Sequence, residues 1–119
     1  MKKKQLLIPL WDRHLHLLMG GDWNDILKFA KSRSFSHEAT DEIIKDQIRP
    51  EDRGACYWCH DQGEGILWFP NKKPDSFMHE FIHLIDFLSI YIGSEGEFEG
   101  RAYTGDWLEK TIPEELKKM

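Results

Sequence analysis

Cysteine is scarce in this chain: the 119 residues include two, Cys56 and Cys59, too few for the disulfide framework of a small secreted domain. Long apolar runs are missing too, which excludes a membrane-spanning helix. Met1 to Leu10 opens with lysines, but its apolar run is short and is broken by Trp11-Asp12-Arg13-His14. No signal peptide is expected, and a reducing cytoplasm is the expected setting. Positive charge is also short, with 16 Lys+Arg against 21 Asp+Glu and a net charge of −5 with His neutral. Beyond Lys2, Lys3 and Lys4 no cluster is able to neutralise phosphates, which argues against nucleic acid or an anionic membrane as partner. There is no internal repeat and no low-complexity stretch.

What the chain has is apolar mass. Hydrophobic residues make up 40%, with five Trp, three Tyr and seven Phe, enough for one substantial core and hence a single domain over residues 1–119. Residues 5–19 carry strand-like runs, Leu6-Leu7-Ile8 and the alternating His14-Leu15-His16-Leu17. Gly20-Gly21 breaks them, and Asp22 can cap a helix to about Lys31 on which Trp23, Ile26, Leu27 and Ala30 recur at helical spacing. Ser32 to Arg53 is polar apart from Ile43, Ile44 and Ile48, and helix and loop fit it equally. Gly54 to Pro70 reads as a hairpin, Ala55–Cys59 and Ile66–Phe69 joined by a glycine-rich turn. The spacing then predicts a largely apolar helix from Asp75 to about Tyr91, ended by Gly93 and Gly96. A last helix is expected from about Glu97 to Lys110, stopping at Pro113, with a solvated tail after it.

The motif with chemical content is His79-Glu80-Phe81-Ile82-His83. Residues four apart share a helix face, so both imidazoles can hold one zinc while Glu80 reaches a water there as general base. Shuffling a chain of this composition yields such a match about 0.03 times. Chance is therefore a weak explanation, and the position inside the strongest helix weakens it further. A buried apolar helix that merely carries two histidines and a glutamate would place three ionisable groups without partners. Glu95, Glu97 and Glu99 follow within one helical hairpin as candidate third ligands. Glu97 and Glu99 would point about 200° apart on a helix, so only one of that pair can face a metal.

On these residues the chain resembles the zincin metallopeptidases, specifically the gluzincins, and most of all their minimal single-domain members, the minigluzincins and the small putative metallopeptidases of phage and bacterial genomes. The resemblance covers about Ile66 to Leu108: a strand, the His79-Glu80-x-x-His83 helix, and Glu99-Gly100-Arg101-Ala102-Tyr103. It implies an α+β fold, one small zincin-like domain with a twisted sheet, an active-site helix and a following glutamate helix. It implies one Zn²⁺ per chain held by His79, His83 and Glu99, Glu80 as base and acid, and hydrolysis of a peptide or protein substrate. Where many gluzincins have an aspartate four residues after the glutamate ligand, this chain has Tyr103, a candidate for stabilising the oxyanion alongside Arg101, His14 and His16. Asp86, three residues after His83, is a candidate to orient an imidazole.

Cys56-Tyr57-Trp58-Cys59-His60 matches the haem-attachment pattern, but in a strand residues three apart point to opposite faces, so buried or surface strand cysteines are the expectation. His14 and His16 share one strand face and read as solvated, and Trp58, Trp68, Phe69 and Trp107 read as core. Two functions remain open: a zinc peptidase acting as a monomer, or a zinc-holding protein of the same fold that regulates or inhibits a partner.

Overall fold

The computed structural model describes the backbone of residues 1–8, 13–92 and 98–119, and the side chains of all of these except 89–92 and 98–102. The elements run β1 (Lys2–Ile8), β2 (Arg13–Met19), α1 (Trp23–Ser32), α2 (His37–Asp46), β3 (Ala55–Cys59), β4 (Glu64–Phe69), α3 (Phe77–Ile92) and α4 (Phe98–Lys118). The fold is α+β, with one four-stranded mixed sheet in the order β1-β2-β4-β3. β1 pairs antiparallel with β2, and β3 antiparallel with β4. β2 and β4 pair in parallel, His14 opposite Glu64 and Met19 opposite Phe69. A parallel pair needs a long crossover, and α1, α2 and β3 supply it.

Alternation along the strands divides the core into two layers. Leu15, Leu17, Leu67, Phe69 and Trp58 face α3 and α4, packing on Phe81, Leu84, Leu88, Leu108, Ile112 and Leu116. Leu18, Ile66, Trp68, Tyr57 and Cys59 face α1 and α2, packing on Ile26, Ala30, Ala39 and Ile43. Each fully buried side chain of this size contributes about 1.5–3 kcal/mol. β4, central and covered on both faces, is buried at every position.

Local chemistry fixes the connections. Asp22 caps α1 by accepting from the Asn24 and Asp25 backbone, and Asp25 returns the contact to the Asp22 N–H, closing a capping box. Gly21 has φ +73°, and a Cβ there would come within 2.4 Å of the Asp25 carboxylate, so the cap requires glycine. The polar segment after Ser32 contains a helix: Ser36 caps α2 by accepting from Ala39 N–H, and Ala39, Thr40 and Ile43 are its buried side.

The C-terminal expectation fails. α4 continues through Pro113 to Lys118, and the segment expected to be solvated buries Leu116, which joins Ile112 in the core cluster on the α3 side of the sheet. A helix-interior proline costs about 3 kcal/mol, which two buried aliphatic side chains offset.

Candidate metal centre

α3 presents its apolar face, Phe81, Leu84 and Leu88, to the sheet and carries the histidine motif along its margin. Its first turn is anchored by a run of rings, Phe69 to Phe77 at 6.2 Å and Phe77 to Phe81 at 5.6 Å. Buried Ser76 donates to the Arg53 carbonyl at 2.6 Å and accepts the Glu80 N–H at its own carbonyl. The chain entering β3 passes so close that a Cβ at Gly54 would lie 2.7 Å from Ser76 Oγ and 2.9 Å from Glu80 Cγ. A glycine at this position lets the β3 backbone lie directly against the motif.

His79 and His83 are exposed, and their Nε2 atoms stand 3.2 Å apart, with ring centroids at 4.7 Å in an edge-to-face arrangement. Glu80 is 6% exposed. One ligand atom from each of the three lies within 4.8 Å of the others. Among the described residues buried Glu80 Oε2 has no hydrogen-bond partner, a costly state for a carboxylate. Burial pushes the Glu80 carboxyl above its ordinary range; the neighbouring imidazoles oppose the shift and Asp46 adds to it. Burial likewise raises the Cys56 thiol, with Glu80 contributing.

The donor set fits a zinc ion. Two nitrogens at about 2.05 Å from a tetrahedral zinc are about 3.3 Å apart, close to the 3.2 Å observed between the imidazoles. A Glu80 carboxylate oxygen lies within 4.8 Å of the imidazole nitrogens, a separation that one water can span. No family model, curated protein or solved structure matches the chain. The site therefore rests on its own geometry.

Of the residues singled out in the sequence, His79, Glu80 and His83 come together. Glu95 and Glu97 lie outside the described residues; Glu99 falls in the first turn of α4, but its side chain, like that of Arg101, lies outside them. Tyr103 is 56% exposed and, among the described residues, makes no hydrogen bond to the motif. Asp86 is exposed and makes none to either imidazole. Cys56 and Cys59 are free and face opposite layers of the core, with Cys59 Sγ accepting the Ser36 N–H at 3.5 Å.

His14 and His16 need correction. They stand on the α1 side of the sheet, with β4 and β2 between them and α3, so neither can reach the motif as an oxyanion donor. Nor is that face solvated: α1 covers it, and His16 is 3% exposed, its ring edge-to-face with Phe29 at 4.9 Å. His16 Nε2 hydrogen-bonds Glu64 Oε1, which also accepts from Arg33 Nη2 at 2.8 Å. Burial pushes the Glu64 carboxyl up, but the bonds from His16 and Arg33 outweigh it and hold it below the ordinary range. Burial lowers the His16 imidazole despite Glu64. This triad escaped the sequence because Glu64 reads as a turn residue, and only parallel pairing of β2 with β4 sets it beside His16.

Proposed function

We propose that the chain is a zinc-dependent peptidase of the zincin type, with His79 and His83 holding one Zn²⁺ per chain, Glu99 as third ligand and Glu80 as general base and acid. The observation that carries this reading is buried Glu80, whose Oε2 has no hydrogen-bond partner among the described residues, beside two exposed imidazoles at the separation a shared zinc needs. Zinc at such a site supplies Lewis-acid polarisation of a peptide carbonyl and acidification of water.

The chain's own residues do the rest. Glu80 Oε2 takes a proton from the attacking water as the new C–O bond forms, then delivers it to the leaving nitrogen as the C–N bond breaks. Its raised pKa suits both transfers, since a base poised nearer neutrality gives the proton back more readily. The exposure of His79 and His83 keeps that side of the motif open to a peptide. Tyr103 is the proposed oxyanion donor. No helix among the described residues is long and apolar enough to cross a membrane, and the proposed setting is cytoplasmic, the enzyme acting as a monomer on peptide or protein substrates.

A second reading, a zinc-holding regulator without turnover, is favoured by Met78 and Ile82, 51% and 55% exposed beside the histidines, where a partner protein would dock. One variant separates the two. Glu80→Gln abolishes peptide hydrolysis and keeps its zinc if the chain is an enzyme; a parent protein that holds zinc and cleaves no peptide supports the regulator.

A further inference from the structure

A cavity of about 660 Å³ forms a groove near this site. β3 is an outer strand of the sheet, so one row of its backbone amides and carbonyls faces away from β4. α2 packs on one face of β3 and α3 on the other, and the groove runs along the strand between them. Its α3 wall is Phe87, which at 100° per residue falls between His83 and Glu80 around the helix. The groove and the metal-site motif therefore occupy one stripe of α3. Cys56, Tyr57 and Asp46 line the groove, and at Gly54, one residue before β3, the chain passes close against Glu80 Cγ.

The opposite wall is α2, whose Glu38, Glu42 and Asp46 recur every four residues on one side, with Asp41 beside them and Asp61 across from them. Asp46 accepts the Tyr57 hydroxyl at 2.9 Å. Among the described residues Glu38, Asp41, Glu42 and Asp61 take part in no ion pair, and no Lys or Arg lines the groove. Tyr57, Trp58 and Phe87 give it apolar area. Carboxylates at the rim over an aromatic floor suit a side chain with an aliphatic stem and a cationic head. The outer edge of β3 suits an extended backbone.

We propose that this groove binds an extended peptide segment bearing Lys or Arg, and so sets basic sequences as the substrate class of the His79–Glu80–His83 site. The inference rests on the peptidase reading for its consequence, but binding tests it independently of cleavage. The probe is a fluorescein-labelled, end-capped octapeptide with two central lysines, measured by anisotropy on the zinc-treated full chain against versions with two central glutamines or glutamates. The lysine peptide is expected to bind about tenfold more tightly than the glutamine one, with the preference falling as salt is raised. Glu38→Lys/Glu42→Lys should abolish that preference, and Glu38→Gln/Glu42→Gln should reduce it. Asp106→Lys/Glu109→Lys, the same charge change on exposed positions of α4, should leave it intact. Equal binding of lysine and glutamine peptides, or a preference that survives reversal in α2 yet disappears on reversal in α4, overturns the inference. Cleavage of the same peptides is scored separately: selective binding without cleavage counts against the peptidase reading alone, and cleavage indifferent to charge counts against the groove alone.

Discussion

The two faces of the sheet carry the same pair of residue types in opposite states. On the α1 face His16 and Glu64 are buried and joined, and Arg33 adds a second donor to the same carboxylate oxygen. On the α3 face His79 and His83 are exposed, and buried Glu80 keeps an oxygen with no partner. A polar cluster that satisfies itself rigidifies a fold. One left unsatisfied at a cleft is where chemistry is expected. On the proposed reading the first cluster serves structure and the second function, and the comparison can be broken experimentally.

The largest effect is expected on turnover. Glu80→Gln should lower kcat by about 10²–10⁴-fold, the usual contribution of a general acid–base group, while zinc content measured by atomic absorption stays near the parent's. Glu64→Gln should leave kcat within a few-fold wherever the protein remains folded. A comparable loss in both variants would erase the distinction between the faces.

Stability should respond with opposite signs. Glu64→Ala removes the acceptor of buried His16 and of the half-exposed Arg33 and should cost about 1–2 kcal/mol. In metal-free protein Glu80→Leu deletes an unsatisfied carboxylate and should gain about 1 kcal/mol. Thermal denaturation reads both, since 1 kcal/mol moves the Tm of a domain of this size by about 4 °C. A loss of stability in Glu80→Leu would mean that its carboxylate has a partner in the folded chain.

A smaller effect concerns pH. The folded-state pKa values of Glu64 and His16 lie below their ordinary values of 4.5 and 6.5, so the unfolded chain takes up protons first. Their contribution is fully present above about 6.5 and is lost as pH falls, first through His16 and then through Glu64. Glu80, shifted up from 4.5, works the other way: in metal-free protein its contribution is present below that value and is lost as pH rises through the raised one. Denaturant midpoints of metal-free protein against pH should show Glu64→Gln flattening the acid limb and Glu80→Gln flattening the opposing trend. An acid limb unchanged in Glu64→Gln would place the acid-sensitive groups elsewhere.

Patterns set by near neighbours were legible in the sequence. The Asp22 cap, the Ala55–Cys59 and Ile66–Phe69 hairpin and the apolar helix with His79 and His83 four residues apart all depend on local spacing. What escaped reading depends on distant contacts. α2 was ambiguous because only Ala39, Thr40 and Ile43 turn inward, and their burial needs β3 beneath them. Pro113 looked like a stop because proline is a local signal, whereas Ile112 and Leu116 are held by the far side of the core. His16 looked solvated because alternation reveals a strand's two sides without revealing which helix covers each. At the candidate site the His-Glu-His group could be read directly, but the choice among Glu95, Glu97 and Glu99 depends on how two helices meet.

The central claim is that the α3 face holds a metal through His79 and His83, and isothermal titration of metal-free protein with zinc tests it most directly. The account predicts one zinc per chain in the parent, loss of that site in His79→Ala and in His83→Ala, and retention in His16→Ala. At zinc a hundredfold above Kd the parent should gain about 2.7 kcal/mol of stability, read as a raised Tm. Absence of zinc binding in the parent, or a site that survives both α3 histidine substitutions and is lost in His16→Ala, would contradict it.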